Sequence, residues 1–159
     1  MPDAIHLNHL RRALELAKAN AVSGRGGPFG AVVARGAEIV AEGVNLVTST
    51  HDPTAHAEVN AIREACRRLG DHALAGCALY SSCEPCPMCL AAIYWARLDA
   101  LYYAASRDAA AAAGFDDSFL YQQISLGVEA RALPTHRALE LEGAAPFAMW
   151  VANRERVPY

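Results

Sequence analysis

Leu7, Leu10, Leu14 and Ala17 recur at three- and four-residue spacing and predict a helix over about 3–21, with Asp3 as its N-cap. Glycine-rich residues 23–28 end it. Neither spacing of a phosphate-binding glycine loop is present, so the stretch reads as a turn that delivers a strand. Apolar runs at 29–34 and 38–44 flank Arg35-Gly36-Ala37 and predict an antiparallel hairpin. A loop over 46–53 leads to a helix over 55–69, capped by Asp52 or Thr54, facing inward through Val59, Ile62 and Ala65 or Cys66, and stopped by Gly70. Residues 78–82 read as a short buried strand, 86–96 as a helix and 100–103 as a strand. Beyond Arg107 the pattern predicts short helices over 108–113 and 118–124. A final helix over 146–153 carries Phe147, Met149, Trp150 and Val151. This order of elements suggests a mixed sheet covered by helices.

Composition narrows the class. A chain of 159 residues with 53% hydrophobic and 19% charged residues fits one domain with a sizeable core and excludes a disordered chain. The formal net charge is −3 and no run of Lys or Arg occurs, which argues against a nucleic-acid backbone as partner and for a small molecule. No targeting segment or membrane span is legible. Five cysteines, two of them spaced like metal ligands, fit a reducing cytoplasm better than a disulfide scaffold.

The candidate chemistry lies in His56-Ala57-Glu58 and Pro85-Cys86-Pro87-Met88-Cys89. One imidazole and two thiolates make a zinc site with one position left open, the ligand count of a catalytic metal. Glu58 supplies a carboxylate for proton transfer beside a metal-bound water. In the first turn of one helix, positions i and i+2 lie about 200° apart, so Glu58 is expected to reach the site from another side than His56. Cys86 and Cys89 share one face of a helix start, where the dipole and free N–H groups favour thiolates. A Cys-x-x-Cys pair also serves redox chemistry, but that reading leaves His-Ala-Glu without a role. A structural Cys₃His site would need Cys83 as fourth ligand. Asn45 reads as a turn residue or a substrate contact. Asp116 and Asp117 read as helix caps ahead of Ser118, or one of them as a pocket group. The remaining histidines read as surface or capping residues.

The segments Pro28-Phe29-Gly30-Ala31, Asp52-Pro53-Thr54-Ala55-His56-Ala57-Glu58 and Ser82-Cys83-Glu84-Pro85-Cys86-Pro87-Met88-Cys89 resemble the cytidine-deaminase-like superfamily of zinc deaminases. Ala92-Ile93-Tyr94-Trp95-Ala96-Arg97 and Ala113-Gly114-Phe115-Asp116-Asp117-Ser118-Phe119 are similar to its bacterial guanine deaminase branch. The resemblance implies a three-layer α/β/α fold with a mixed five-stranded sheet. It implies a homodimer in which residues from about 130 to 159 of a single 1–159 domain are exchanged between subunits. It implies one zinc ion per subunit, on His56, Cys86 and Cys89 with a metal-bound water or hydroxide, and Glu58 as proton shuttle. Asn45, Asp117, Phe29, Trp95 and Tyr159 would contact the base. The implied reaction is hydrolysis of guanine to xanthine and ammonia, a step of purine catabolism in the cytoplasm. Other aminated heterocycles (an aminopurine, a triazine such as ammeline, cytosine) stay open as substrates. Adenosine in tRNA is a rival that the acidic balance disfavours, and a zinc-stabilised binding module without turnover is the rival of a different class.

Overall fold

The strand β1 (Gly30–Arg35) is buried at every position but the last, and alternation sends its side chains to two separate cores. Ala31 and Val33 join a cluster with Ala57, Ala61, Ile62, Ala65, Leu79 and Ile93. Val32 and Ala34 join Ala13 and Tyr80 on the opposite face. The sheet therefore has helices on both sides, as the pattern predicts.

The computed structural model describes residues 3–159, which form two compact units divided after Ser118. In the first, α1 (Ala4–Ser23) covers one face of the sheet. Asp3 caps it, accepting from the N–H groups of Ile5 (3.0 Å) and His6 (3.1 Å). Its buried residues are His9, Ala13, Ala17 and Asn20, with Leu10 and Leu16 partly buried beside them, while Leu7 is exposed. Gly30 explains why small residues line the closest approach. A Cβ there would lie 2.5 Å from the Ala13 carbonyl oxygen, so strand and helix backbones meet closely and only small residues fit between them. His9 is accordingly a buried residue, with Nε2 2.9 Å from the Gly36 carbonyl, and not a surface one.

β1 pairs antiparallel with β2 (Glu38–Val44) and with β3 (Ala78–Cys83), and β3 pairs parallel with β4 (Ala100–Ala105). The sheet is mixed, in the order β2-β1-β3-β4. Among the described residues it has four strands, not the five that the resemblance implies. Residues 134–139 form no strand and have no ladder partner among the described residues. A one-turn helix, α2 (Val47–Thr50), stands where a loop is predicted. The other face is covered by α3 (Ala57–Leu69) and α4 (Pro87–Trp95); α5 (Arg107–Ala112) follows β4.

The second unit, Phe119–Tyr159, holds most of α6 (Ser118–Ser125), a 3₁₀ turn (Val128–Ala130) and α7 (Glu140–Ala152). α7 starts six residues before the predicted position and carries Pro146 in its interior, where the missing N–H leaves one helical bond unmade. No residue from Phe119 to Tyr159 is buried within the chain, although Phe147, Met149, Trp150 and Val151 are large and apolar.

Candidate active site

Two helix starts meet above the end of the sheet. Gly43 lets the first come close: a Cβ on it would collide with the carbonyl oxygen of Ala57 at the first turn of α3. His56 is the N-cap of α3 in extended backbone (φ −71°, ψ 156°), one residue ahead of the helix instead of in its first turn. The ideal-helix angle between His56 and Glu58 therefore does not apply. Asp52 folds the chain just before, accepting from the N–H (2.8 Å) and hydroxyl (2.7 Å) of Thr54, and does not cap the helix. Glu58 belongs to the inward stripe of α3 with Ala57, Ala61, Ile62 and Ala65 and is only 6% exposed.

Cys86 is the N-cap of α4, with Pro87 at the first helical position, and Cys89 follows within the first turn, fully buried. Nδ1 of His56 lies 3.6 Å from the Cys86 sulfur and 3.4 Å from the Cys89 sulfur. All three ligand atoms lie within 4.8 Å of one another, the one such cluster found among the described residues. Tetrahedral zinc with Zn–N of about 2.0–2.1 Å and Zn–S of about 2.3 Å needs N···S edges of about 3.6 Å. The residues fit that ion. Cys83 is not part of the set: its thiol points to the Ser106 carbonyl at 3.6 Å, which removes the fourth ligand of a structural site.

The charges suit a metal as well. The Cys89 thiol, through its hydrogen bond to Cys86, with help from His56, holds Cys86 down to about 4. Cys89 is pushed up, chiefly by that same bond and by burial. Such a thiolate–thiol pair would also serve redox chemistry, and His56 beside both sulfurs is what favours a metal. Its imidazole is raised by the bond to Cys86. Burial raises the Glu58 carboxyl. One Glu58 oxygen, Oε1, accepts from the Ser81 hydroxyl at 3.2 Å, and the other, Oε2, lies 3.5 Å from the Cys89 sulfur.

Of the expected base contacts, Asn45 is buried where β2 ends. Its Oδ1 accepts from the N–H groups of Gly27 and Val47, both at 3.2 Å, which leaves its NH₂ group to donate. Asn45 is thus the turn residue the sequence suggests and still has a donor in hand. The neighbouring Leu46 N–H bonds to the Ala55 carbonyl (2.9 Å), tying this turn to the segment that carries His56. Phe29 packs edge-on against Phe115, ring centres 5.0 Å apart. Asp116 and Asp117 separate cleanly. Asp116 folds over the start of α6, accepting from the Ser118 N–H (2.9 Å) and hydroxyl. Asp117 is half-buried, and its carboxyl is raised first by desolvation and then by the Cys86 charge. Trp95 ends α4, roughly 13 Å along the helix from Cys86. It is 62% exposed, with the Arg97 guanidinium 6.0 Å from its ring centre. Tyr159 is exposed in the second unit.

Two contributors escape a motif reading. Ser81 is a buried hydroxyl in mid-strand. Asn20, 1% exposed on α1, donates to the carbonyls of Gly27 and Asn45, both at 2.8 Å, and pins the glycine turn to the end of β2. A polar residue inside an apolar stripe is the signal both leave in the sequence.

A zinc-ligand cluster at two helix starts, on a mixed sheet with helices on both faces, defines a class. Residues 4–105 match the cytidine and deoxycytidylate deaminase zinc-binding region, and the chain belongs to that family. Guanine deaminase of Bacillus subtilis (strain 168) is 53% identical over 145 residues, 91% of this chain and 93% of that protein. The X-ray structure of guanine deaminase from Bacillus subtilis superposes with a TM-score of 0.94 at 51% identity, covering 97% of this chain and 98% of that one. A tRNA-specific adenosine deaminase of Aquifex aeolicus (strain VF5) is 45% identical over 78 residues, 49% of this chain and 52% of that protein.

Proposed function

We propose that the protein is a zinc-dependent hydrolase that deaminates guanine to xanthine and ammonia. The observation that carries this reading is the reach of the likeness to the Bacillus subtilis guanine deaminase, 91% of the chain, well past the zinc-binding region at 4–105. The tRNA-specific relative matches over half the chain only, and the net charge of −3 offers no general attraction to RNA.

His56, Cys86 and Cys89 would hold one zinc ion per subunit, whose Lewis acidity would supply an acidified water as nucleophile at neutral pH. Glu58 accepts one proton from that water and passes it to a ring nitrogen next to C2; it then takes the second proton, from the hydroxyl now on C2, and gives it to the amine, so that the C2–N bond breaks, ammonia leaves and the C2 oxygen becomes a carbonyl. Burial, which raises this carboxyl, suits a group that must both take and give a proton near neutrality. The Asn45 NH₂ donates to an acceptor on the base rim, and the Asp117 carboxylate accepts from the guanine amine and ring N–H. Bases that present the wrong group at either place leave a polar partner unpaired, which costs affinity. Phe29 packs on the base.

Trp95 and Tyr159 come to the base in a homodimer whose C-terminal segments, about 130–159, are exchanged. The support is that no residue of that segment is buried within its own chain and that residues 134–139 lack a strand partner. The cytoplasm suits the thiolate ligands, and purine catabolism suits the reaction. The test is ammonia release from a panel of guanine, 2-aminopurine, cytosine, ammeline and tRNA. Guanine is expected to lead by orders of magnitude. Turnover led by another substrate would replace it, and none at all would leave a binding module.

A further inference from the structure

β3 alternates between the two cores, Leu79 toward α3 and α4 and Tyr80 toward α1, and Ser81 shares the side of Leu79. A hydroxyl at 2% exposure among apolar neighbours is costly unless it is bonded. Both sides of this one are used. The Cys83 N–H donates to Ser81 Oγ at 3.4 Å, which occupies a lone pair, and the hydroxyl proton goes to Oε1 of Glu58 at 3.2 Å. The other carboxyl oxygen, Oε2, is the one beside Cys89 and hence beside the ligand cluster. Cys89 as a zinc ligand is a thiolate with no proton to donate, so its contact cannot hold the carboxyl in the loaded protein.

We propose that Ser81 is a positioning residue for Glu58: its hydroxyl anchors Oε1, so that Oε2 alone faces the metal and carries the proton. Ser81 touches neither base nor ion and acts only through Glu58. The proton accepted at Oε2 leaves from the same atom, so the carboxyl need not rotate between accepting and giving. The anchored oxygen also keeps a hydrogen-bond donor at all times, which stops it from competing for the ion. This inference rests on Glu58 being the proton carrier.

The test compares Ser81→Ala, Ser81→Val and Ser81→Thr in the full-length, zinc-loaded protein by metal content, kcat and KM. Valine and threonine have nearly the same shape, so they separate the hydroxyl from the packing. Loss of the hydroxyl in the Ala and Val variants is expected to lower kcat about 10- to 100-fold, the usual cost of an outer partner. Zinc content should hold, and KM should stay within about two-fold. The threonine variant should recover most of the lost kcat. A valine variant that turns over like the parent, a threonine variant as slow as valine, a loss confined to KM, or a loss of zinc would each overturn the proposal. If valine does not fold there, alanine against threonine decides by the same outcomes. Failure of the parent to act on guanine would overturn the functional reading instead, and the comparison would then use whichever base of the panel releases ammonia.

Discussion

Nδ1 of His56 lies 3.4 Å from the sulfur of Cys89, although 33 positions separate the two residues in the chain. That distance is close to one edge of a zinc tetrahedron, and it exists because two helices start side by side over one end of the sheet. The candidate ligands are therefore placed by the backbone geometry of two helix starts.

Zinc uptake should release protons. Cys86 is held down to about 4 and is already a thiolate at pH 7, whereas Cys89 is pushed up and His56 is raised. All three must be deprotonated to bind, so uptake displaces protons from Cys89 and from any protonated His56. Affinity should fall as pH falls, about tenfold per unit for each proton released. Calorimetric titrations in buffers of different ionisation enthalpy measure this, and uptake without proton release would contradict the charge assignment.

Glu58→Gln should keep the metal and lose turnover. The amide has nearly the shape of the carboxyl but cannot take a proton, so kcat is expected to drop by about 10²–10⁴. Full zinc content with parental kcat would remove Glu58 from proton transfer.

The two adjacent aspartates should behave differently. Asp117→Asn takes away the acceptor proposed for the guanine amine and should lower kcat/KM by two or more orders of magnitude, roughly the penalty for an unmatched polar site. Asp116→Asn removes charge from a group that only folds over the start of α6, so it should leave kcat/KM near the parent value and lower the melting temperature slightly. Exchange of these outcomes would exchange the roles.

Much of the site was legible because its ligands sit at fixed spacings beside helix starts. His56 and Glu58 flank one, Cys86 and Cys89 another, and the capping chemistry that begins a helix is local. The long-range features were not legible. The close approach of Gly30 on a neighbouring strand puts Ala13 and Ala17 at the centre of the inner face of α1, a choice of small residues that the leucine spacing does not show. Ser81 and Asn20 show only as polar residues among apolar ones, and their partners lie in distant segments. Trp95 is exposed at the end of α4, a placement that its position in the sequence motif does not show.

The tail should matter for the base and not for the metal. Removing the last three residues, Val157 to Tyr159, is expected to raise KM while zinc content stays unchanged, and sedimentation should show a dimer before and after. An unchanged KM would remove Tyr159 from the site, and a monomeric parent would sink the exchange of segments.

The most direct measurement follows zinc and turnover together. Metal is stripped by a chelator at neutral pH and returned in steps, with bound zinc and ammonia release from guanine recorded at each step. Activity should vanish on stripping and return in proportion to bound zinc, reaching its plateau at about one ion per chain. Full ammonia release from material that holds no transition metal would contradict the account.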